Sequence, residues 1–143
     1  MLANNSDYLE LLEQVKREIA QTRSKVAAQA VNEVICLYWR IGRHLNEARE
    51  YGANYIDSLS QDIRREYPEV KWANARNLRY MAKFAREVDE EILHTAYAKL
   101  SWSHNKVLMD RVKDFEARQW YARSALECGW SKVLLDRKST RLN

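Results

Sequence analysis

Four basic side chains recur at steps of three and four between residues 76 and 86: Arg76, Arg79, Lys83 and Arg86. At 100° per residue they fall within an arc of about 80° on one helix face, beside Tyr80 and opposite Leu78, Met81, Ala82 and Ala85. Arginine offers a planar fork that fits a phosphate or a guanine edge, and the Asn77 amide has the donor and acceptor that fit adenine. Asn77 also reads as a buried polar group that fixes the helix. Asn74 stands at the helix start, where unpaired backbone N–H groups suit an anion. Lys71, Arg64 and Arg65 extend the basic surface as backbone contacts. Residues 61–86 hold seven Lys/Arg against three Asp/Glu, while the rest of the chain holds seventeen of each. A purely structural surface helix interleaves both signs at i,i+4, yet no acid occurs on this one before Glu87. Trp72 lies in the preceding turn, as a stacking wedge or as the hydrophobe that covers the turn.

Other chemistries find little to work with. Asp62 and Glu69-Val-Lys71 imitate the Asp…Glu-x-Lys spacing of metal-dependent nucleases. That chemistry needs carboxylates converging from adjacent strands, whereas Asp62 reads as helical and Glu69 follows Pro68 in a turn. His44, His94 and His104 have no ligand spacing with one another or with Cys36 and Cys128. His104 reads as a helix cap or buttress. The two cysteines read as free, buried thiols. Three scattered glycines cannot form a phosphate-cradling loop. We therefore expect no catalysis, metal or cofactor from this chain.

The elements that must position the basic face are helices. The 143 residues are 46% apolar and 31% charged, with three Gly and one Pro, enough for one domain and poor in turn chemistry. Tyr8, Leu12, Val15, Ile19, Val26, Ala30, Val34, Tyr38, Ile41 and Leu45 recur at steps of three and four, with Thr22 in the gap. They predict a helix from about Asp7 to Glu50, capped by Ser6 or Asp7 and followed by Gly52. At roughly 60 Å it exceeds the width of a domain this size, so it must break near Gln21–Lys25 or project and pair with another chain, making a homodimer.

A second helix runs from Tyr55 to Tyr67, capped by Asn54 with Asp57 reaching back, its inner stripe Ile56, Leu59, Ile63 and Tyr67; Pro68 stops it. The link 68–73 is longer than a tight helix-turn-helix allows. Asn74 caps the basic helix. Beyond it we expect a short helix near residue 90 and an extended stretch Tyr97–Trp102. Next comes a helix capped by Ser103 with Val107, Leu108 and Val112 inward. A helix from Phe115 to Cys128, with Trp120, Tyr121 and Ala125 inward, ends at Gly129. A last helix starts at Ser131 and carries Leu134 and Leu135. No stretch is apolar and long enough to span a membrane and none reads as a secretion signal, so we expect a cytoplasmic protein.

Several runs resemble one family in order and spacing: Tyr38-Trp-Arg-Ile-Gly-Arg, Leu59-Ser-Gln-Asp-Ile-Arg-Arg-Glu-Tyr-Pro, Arg76-Asn-Leu-Arg-Tyr-Met, Leu100-Ser-Trp-Ser-His-Asn, and Trp120-Tyr-Ala followed by Cys128-Gly-Trp-Ser. Over about Val31–Asp136 the chain is similar to the N-terminal domain of the YhcG-like proteins. The resemblance implies a mainly α fold: a compact helical domain with a helix-turn-helix, winged-helix-like core and a long N-terminal helix. It also implies a bacterial DNA-binding module joined in cis to a PD-(D/E)xK nuclease domain. Residues 1–136 form that single domain, and 137–143 read as a truncated or foreign tail. The leading expectation is a DNA-targeting domain that binds through the basic helix. The alternative is an interaction or oligomerisation module built on the long first helix.

Overall fold

The computed structural model describes residues 6–48 and 54–140. Their order is α1 (Ser6–Glu47), α2 (Tyr55–Glu66), α3 (Ala75–Glu87), α4 (Glu90–Leu93), a 3-10 turn (Tyr97–Lys99), α5 (Trp102–Arg111), α6 (Phe115–Cys128) and α7 (Lys132–Thr140). The mainly helical expectation holds. No strand occurs among the described residues, so they include no β-hairpin wing.

Helix α1 runs unbroken through Gln21–Lys25, so of the two expectations, a break there or a projecting helix, the break does not occur. The stretch is polar but lacks Gly and Pro, so nothing interrupts the backbone ladder. The expected end near Glu50 and Gly52 lies outside the described residues. The long apolar stripe is not one buried seam. Its steps average about 3.7 residues against 3.6 per turn, so it rotates around the helix. Only the C-terminal part is buried, through Ile35, Cys36, Tyr38, Trp39, Gly42 and Leu45.

That face lies against α3, which buries Leu78, Met81, Ala82 and Phe84. The two backbones approach most closely at Gly42, where a Cβ would meet the Met81 carbonyl. Two side-chain bonds pin the crossing: Trp39 Nε1–H donates to Val88 O at 2.7 Å, and Asn46 Nδ2–H donates to Ala82 O at 2.9 Å. Helix α2 follows Asn54, but Asn54 makes no capping bond and Asp57 does not reach back to it. Asp57 is held elsewhere, by Arg79. The α2 face is shallow: Ile56, Leu59 and Ile63 are half-buried, and Tyr67 is exposed rather than inward. Its buried residue is Ser60, whose hydroxyl donates to Ala73 O at 2.5 Å and ties α2 to the link before α3.

The C-terminal half closes the core. Of the expected extended stretch, Tyr97–Lys99 is instead a 3-10 turn and Leu100 and Ser101 are extended, with the buried Asn105 amide donating to Tyr97 O and Ser101 O, both at 3.0 Å. Ser101, not Ser103, caps α5 by accepting from His104 N. Asp114 caps α6, and Gly129 ends it at φ 66°, a left-handed conformation suited to glycine. Tyr121 and Ala125 face inward as expected, but Trp120 is 54% exposed and lies beside Trp130. Cys36 is buried, whereas Cys128 is exposed, correcting the expectation of two buried thiols. Ser131 accepts from Leu134 N at the start of α7. That helix continues through residues 137–140, burying Ser139; the rest of the expected tail lies outside the described residues. Buried Arg118 joins α6 to α3, donating to Glu87 Oε1 at 2.8 Å and Val112 O at 2.9 Å. No described helix is long and apolar enough to cross a membrane.

Candidate nucleic-acid interface

The segment between α2 and α3 spans residues 67–74, longer than the turn of a tight helix-turn-helix. It ends in a true cap: Asn74 Oδ1 accepts from Asn77 N at 2.8 Å, leaving the cap side chain exposed at the start of α3. Asn77 itself is not available to read a base. Its Nδ2–H donates to Trp72 O at 2.8 Å, and its Oδ1 accepts from Trp102 Nε1–H at 2.6 Å. Both ends of the amide are spent on clamping the link and α5 to α3, which matches the structural role also read from the sequence. Trp72 is half-buried and packs its ring 5.4 Å from Tyr38, so it covers the turn.

The basic face of α3 is less unpaired than the helix alone suggests, because its acidic partners arrive from other positions. Arg79 meets Asp57 of α2 at 3.3 Å, with both side chains about half exposed. Lys83 lies 3.9 Å from Glu87, which also holds Arg118. Arg86 donates to Asn46 Oδ1 at 3.1 Å. On α2, Arg65 pairs with Asp62 at 3.2 Å and Arg64 donates to Ser60 O at 3.4 Å. Exposed pairs of this kind are worth about 0–1 kcal/mol and exchange readily for a phosphate. Arg79, Arg65 and Arg86 therefore remain competent contacts, while half-buried Lys83 is the most committed of the four.

Arg76 differs. It makes no ion pair among the described residues and sits over the Tyr80 ring at 6.0 Å, at the edge of a cleft of about 760 Å³ between α3 and α5. Lys71 of the link, Lys106 of α5 and Lys132 of α7 line the same cleft, and none of them pairs with a carboxylate among the described residues. Its walls include Trp72, Tyr80 and Trp102. Lys106 lies 5.7 Å from the centre of the Tyr80 ring, on whose face a cation is attracted. The one acid lining the cleft, Asp110, is engaged by the Tyr80 hydroxyl at 2.8 Å. That hydrogen bond raises the phenol above its ordinary value, with burial adding to it and Arg76 opposing. The cleft thus gathers four cations from the link, α3, α5 and α7 around aromatic walls. Arg76 and Lys71 were legible beforehand. Lys106 and Lys132 were missed, since they stand apart from the basic face of α3 in sequence and only the tertiary fold brings them to it.

Neighbouring side chains serve the scaffold. His104 Nε2 lies 2.7 Å from Trp130 O, and a carbonyl can only accept, so that nitrogen carries the proton. Its Nδ1 then accepts from Ser101 at 2.6 Å, and the ring joins α5 to the α6–α7 turn as a buttress. Asp62 and Glu69 do not converge, and among the described residues no group of three His, Cys, Asp or Glu side chains could hold a metal ion.

Searches of curated proteins and of solved structures return no match to this chain. A family model does match: the DUF1016 N-terminal domain, over residues 14–142, which takes in every helix that lines the cleft. The chain belongs to the DUF1016 N-terminal domain family.

Proposed function

We propose that this domain binds DNA through the α3–α5 cleft and the basic face of α3 beside it. The observation that carries the reading is the convergence of Lys71, Arg76, Lys106 and Lys132, unpaired with any carboxylate among the described residues, on one aromatic-walled recess. Cations from four separate positions in the chain, gathered around the single carboxylate of Asp110, leave the recess with a positive excess. An anion such as a phosphate offsets that excess. In this reading α2 and α3 act as a loose helix-turn-helix pair. Arg76, Lys71, Lys106 and Lys132 hold the backbone, the Asn74 cap faces a phosphate, and Arg79, Arg86 and Arg65 exchange their surface partners for DNA. The resemblance to the YhcG-like proteins supports the same role, a targeting domain for a nuclease carried in cis, working in the bacterial cytoplasm.

The test is fluorescence anisotropy of labelled duplex DNA across a salt series. The four cleft cations alone neutralise about four phosphates, a log–log slope of roughly −3 to −4, which Arg79, Arg86 and Arg65 steepen to about −6. We expect Arg76→Ala/Lys106→Ala/Lys132→Ala to abolish binding while leaving the circular dichroism spectrum unchanged. Binding that is indifferent to salt, or unmoved by the triple substitution, refutes the assignment.

A further inference from the structure

Every residue of α1 from Leu9 to Val31 is exposed, an arm of about 35 Å that is buried against none of the other described elements. Yet Leu9, Leu11, Leu12, Val15, Ile19, Val26 and Val31 all lie on it, each 37–61% exposed. A lone helix of that length is marginal in water unless an apolar side is covered. The chain's own body cannot cover it. At 100° per residue, the stripe Tyr8, Leu12, Val15, Ile19, Thr22, Val26 is centred about 140° around α1 from the face Ile35, Tyr38, Gly42, Leu45 that packs on α3.

The stripe alternates four- and three-residue steps, the a/d spacing of a coiled coil. Leu12, Ile19 and Val26 occupy a and Tyr8, Val15 and Thr22 occupy d; of these, Ile19 and Val26 are the β-branched residues at a that favour two strands. The flanking charges choose the partner and its direction. With a second copy aligned in parallel and in register, Glu18 faces Arg23 of the second copy twice over. Lys16 then faces Leu11, Lys25 faces Ala30, and no like charges meet. Antiparallel registers of comparable overlap bring Lys16 against Arg23, or set Lys16 or Arg23 against its own copy. We propose that residues 8–26 of α1 pair with the same residues of a second copy as a parallel, in-register, two-stranded coiled coil. This pairing is independent of the DNA-binding reading, since the arm carries none of the cleft residues.

Sedimentation tests it. Three heptads make a weak dimer, so the protein should sediment as a dimer at about 200 µM and dissociate on dilution. Ile19→Asp should be monomeric throughout while its core tryptophan fluorescence melts as in the wild type, because Ile19 contacts no core element. Val15→Cys, made in a Cys128→Ser background, should give a disulfide-linked dimer on oxidation, as only the parallel register sets Val15 against its own copy. A wild-type protein that stays monomeric overturns the proposal, as does a dimer indifferent to Ile19→Asp. A dimer that Val15→Cys cannot cross-link overturns the parallel register.

Discussion

Substituting Gly42 by alanine sets two well-defined effects against each other. In an unpacked helix interior the change stabilises by about 1 kcal/mol, because glycine surrenders more backbone freedom. At this position the new methyl falls on the Met81 carbonyl, 2.5 Å from its carbon and 3.0 Å from the Ala85 Cβ. A main-chain carbonyl inside a helix cannot swing aside as a long side chain can, so α1 and α3 must separate. Overpacking of that kind costs about 1–3 kcal/mol. The separation also stretches the Trp39–Val88 and Asn46–Ala82 bonds that span the same crossing, each worth about 1 kcal/mol. The steric and hydrogen-bond losses exceed the propensity gain, leaving a net destabilisation of roughly 2–3 kcal/mol. For a domain of this size that lowers the melting temperature by about 7–10 °C. Near-UV circular dichroism follows the core tryptophans and is blind to the exposed arm. Ala85→Gly should not restore the loss, since the carbonyl remains in the way. A Gly42→Ala protein that melts at or above the wild-type temperature would refute the close crossing of α1 and α3.

Two further outcomes follow from individual groups. Asn77→Ala leaves the Trp102 indole N–H and the Trp72 carbonyl without partners and should destabilise by about 2–4 kcal/mol, measured by urea unfolding; a neutral result would mean that the amide does not clamp the link to α5. Tyr97 is buried, and burial pushes its phenol up to about 12. The folded state therefore holds a proton that the unfolded chain gives up near pH 10, and stability falls as pH rises from 10 to 12, by about 3 kcal/mol in total. Tyr97→Phe should remove that part of the alkaline loss, and urea midpoints across this range that are identical in the two proteins would argue against the burial of the hydroxyl.

The helical class, the Ser131 start of α7 and the Gly129 stop were legible because each rests on local chemistry: few breakers, a serine at a start, one left-handed glycine. The Asn74 cap was legible for the same reason. The failures came where a residue's partner lies far along the chain. Asn54 and Asp57 have the spacing of a capping pair, but Asp57 is drawn to Arg79 on α3, and no local pattern announces that. Trp120 has the helical phase of a core residue, yet α6 offers its inner face to Tyr121 and the guanidinium of Arg118 instead. The basic face was read from one helix, so its counter-charges on α2 and its allies on α5 and α7 stayed hidden. Periodicity also overstated the first stripe, since a repeat near 3.7 residues looks continuous in sequence while it winds around the helix.

The unbroken course of α1 has a mechanical consequence. Tyr38 forms part of the cleft wall and lies about 6 Å along the helix from the Gly42 contact, whereas Ser6 at the far end lies about 54 Å from it. A stiff helix pivoting on that contact is a lever with arms in a ratio of about one to nine. A displacement of half an ångström at Tyr38 would therefore carry the tip of the arm through about 4–5 Å. A small tilt of α1 against α3 beside the cleft is thus magnified about ninefold at the far end of the arm.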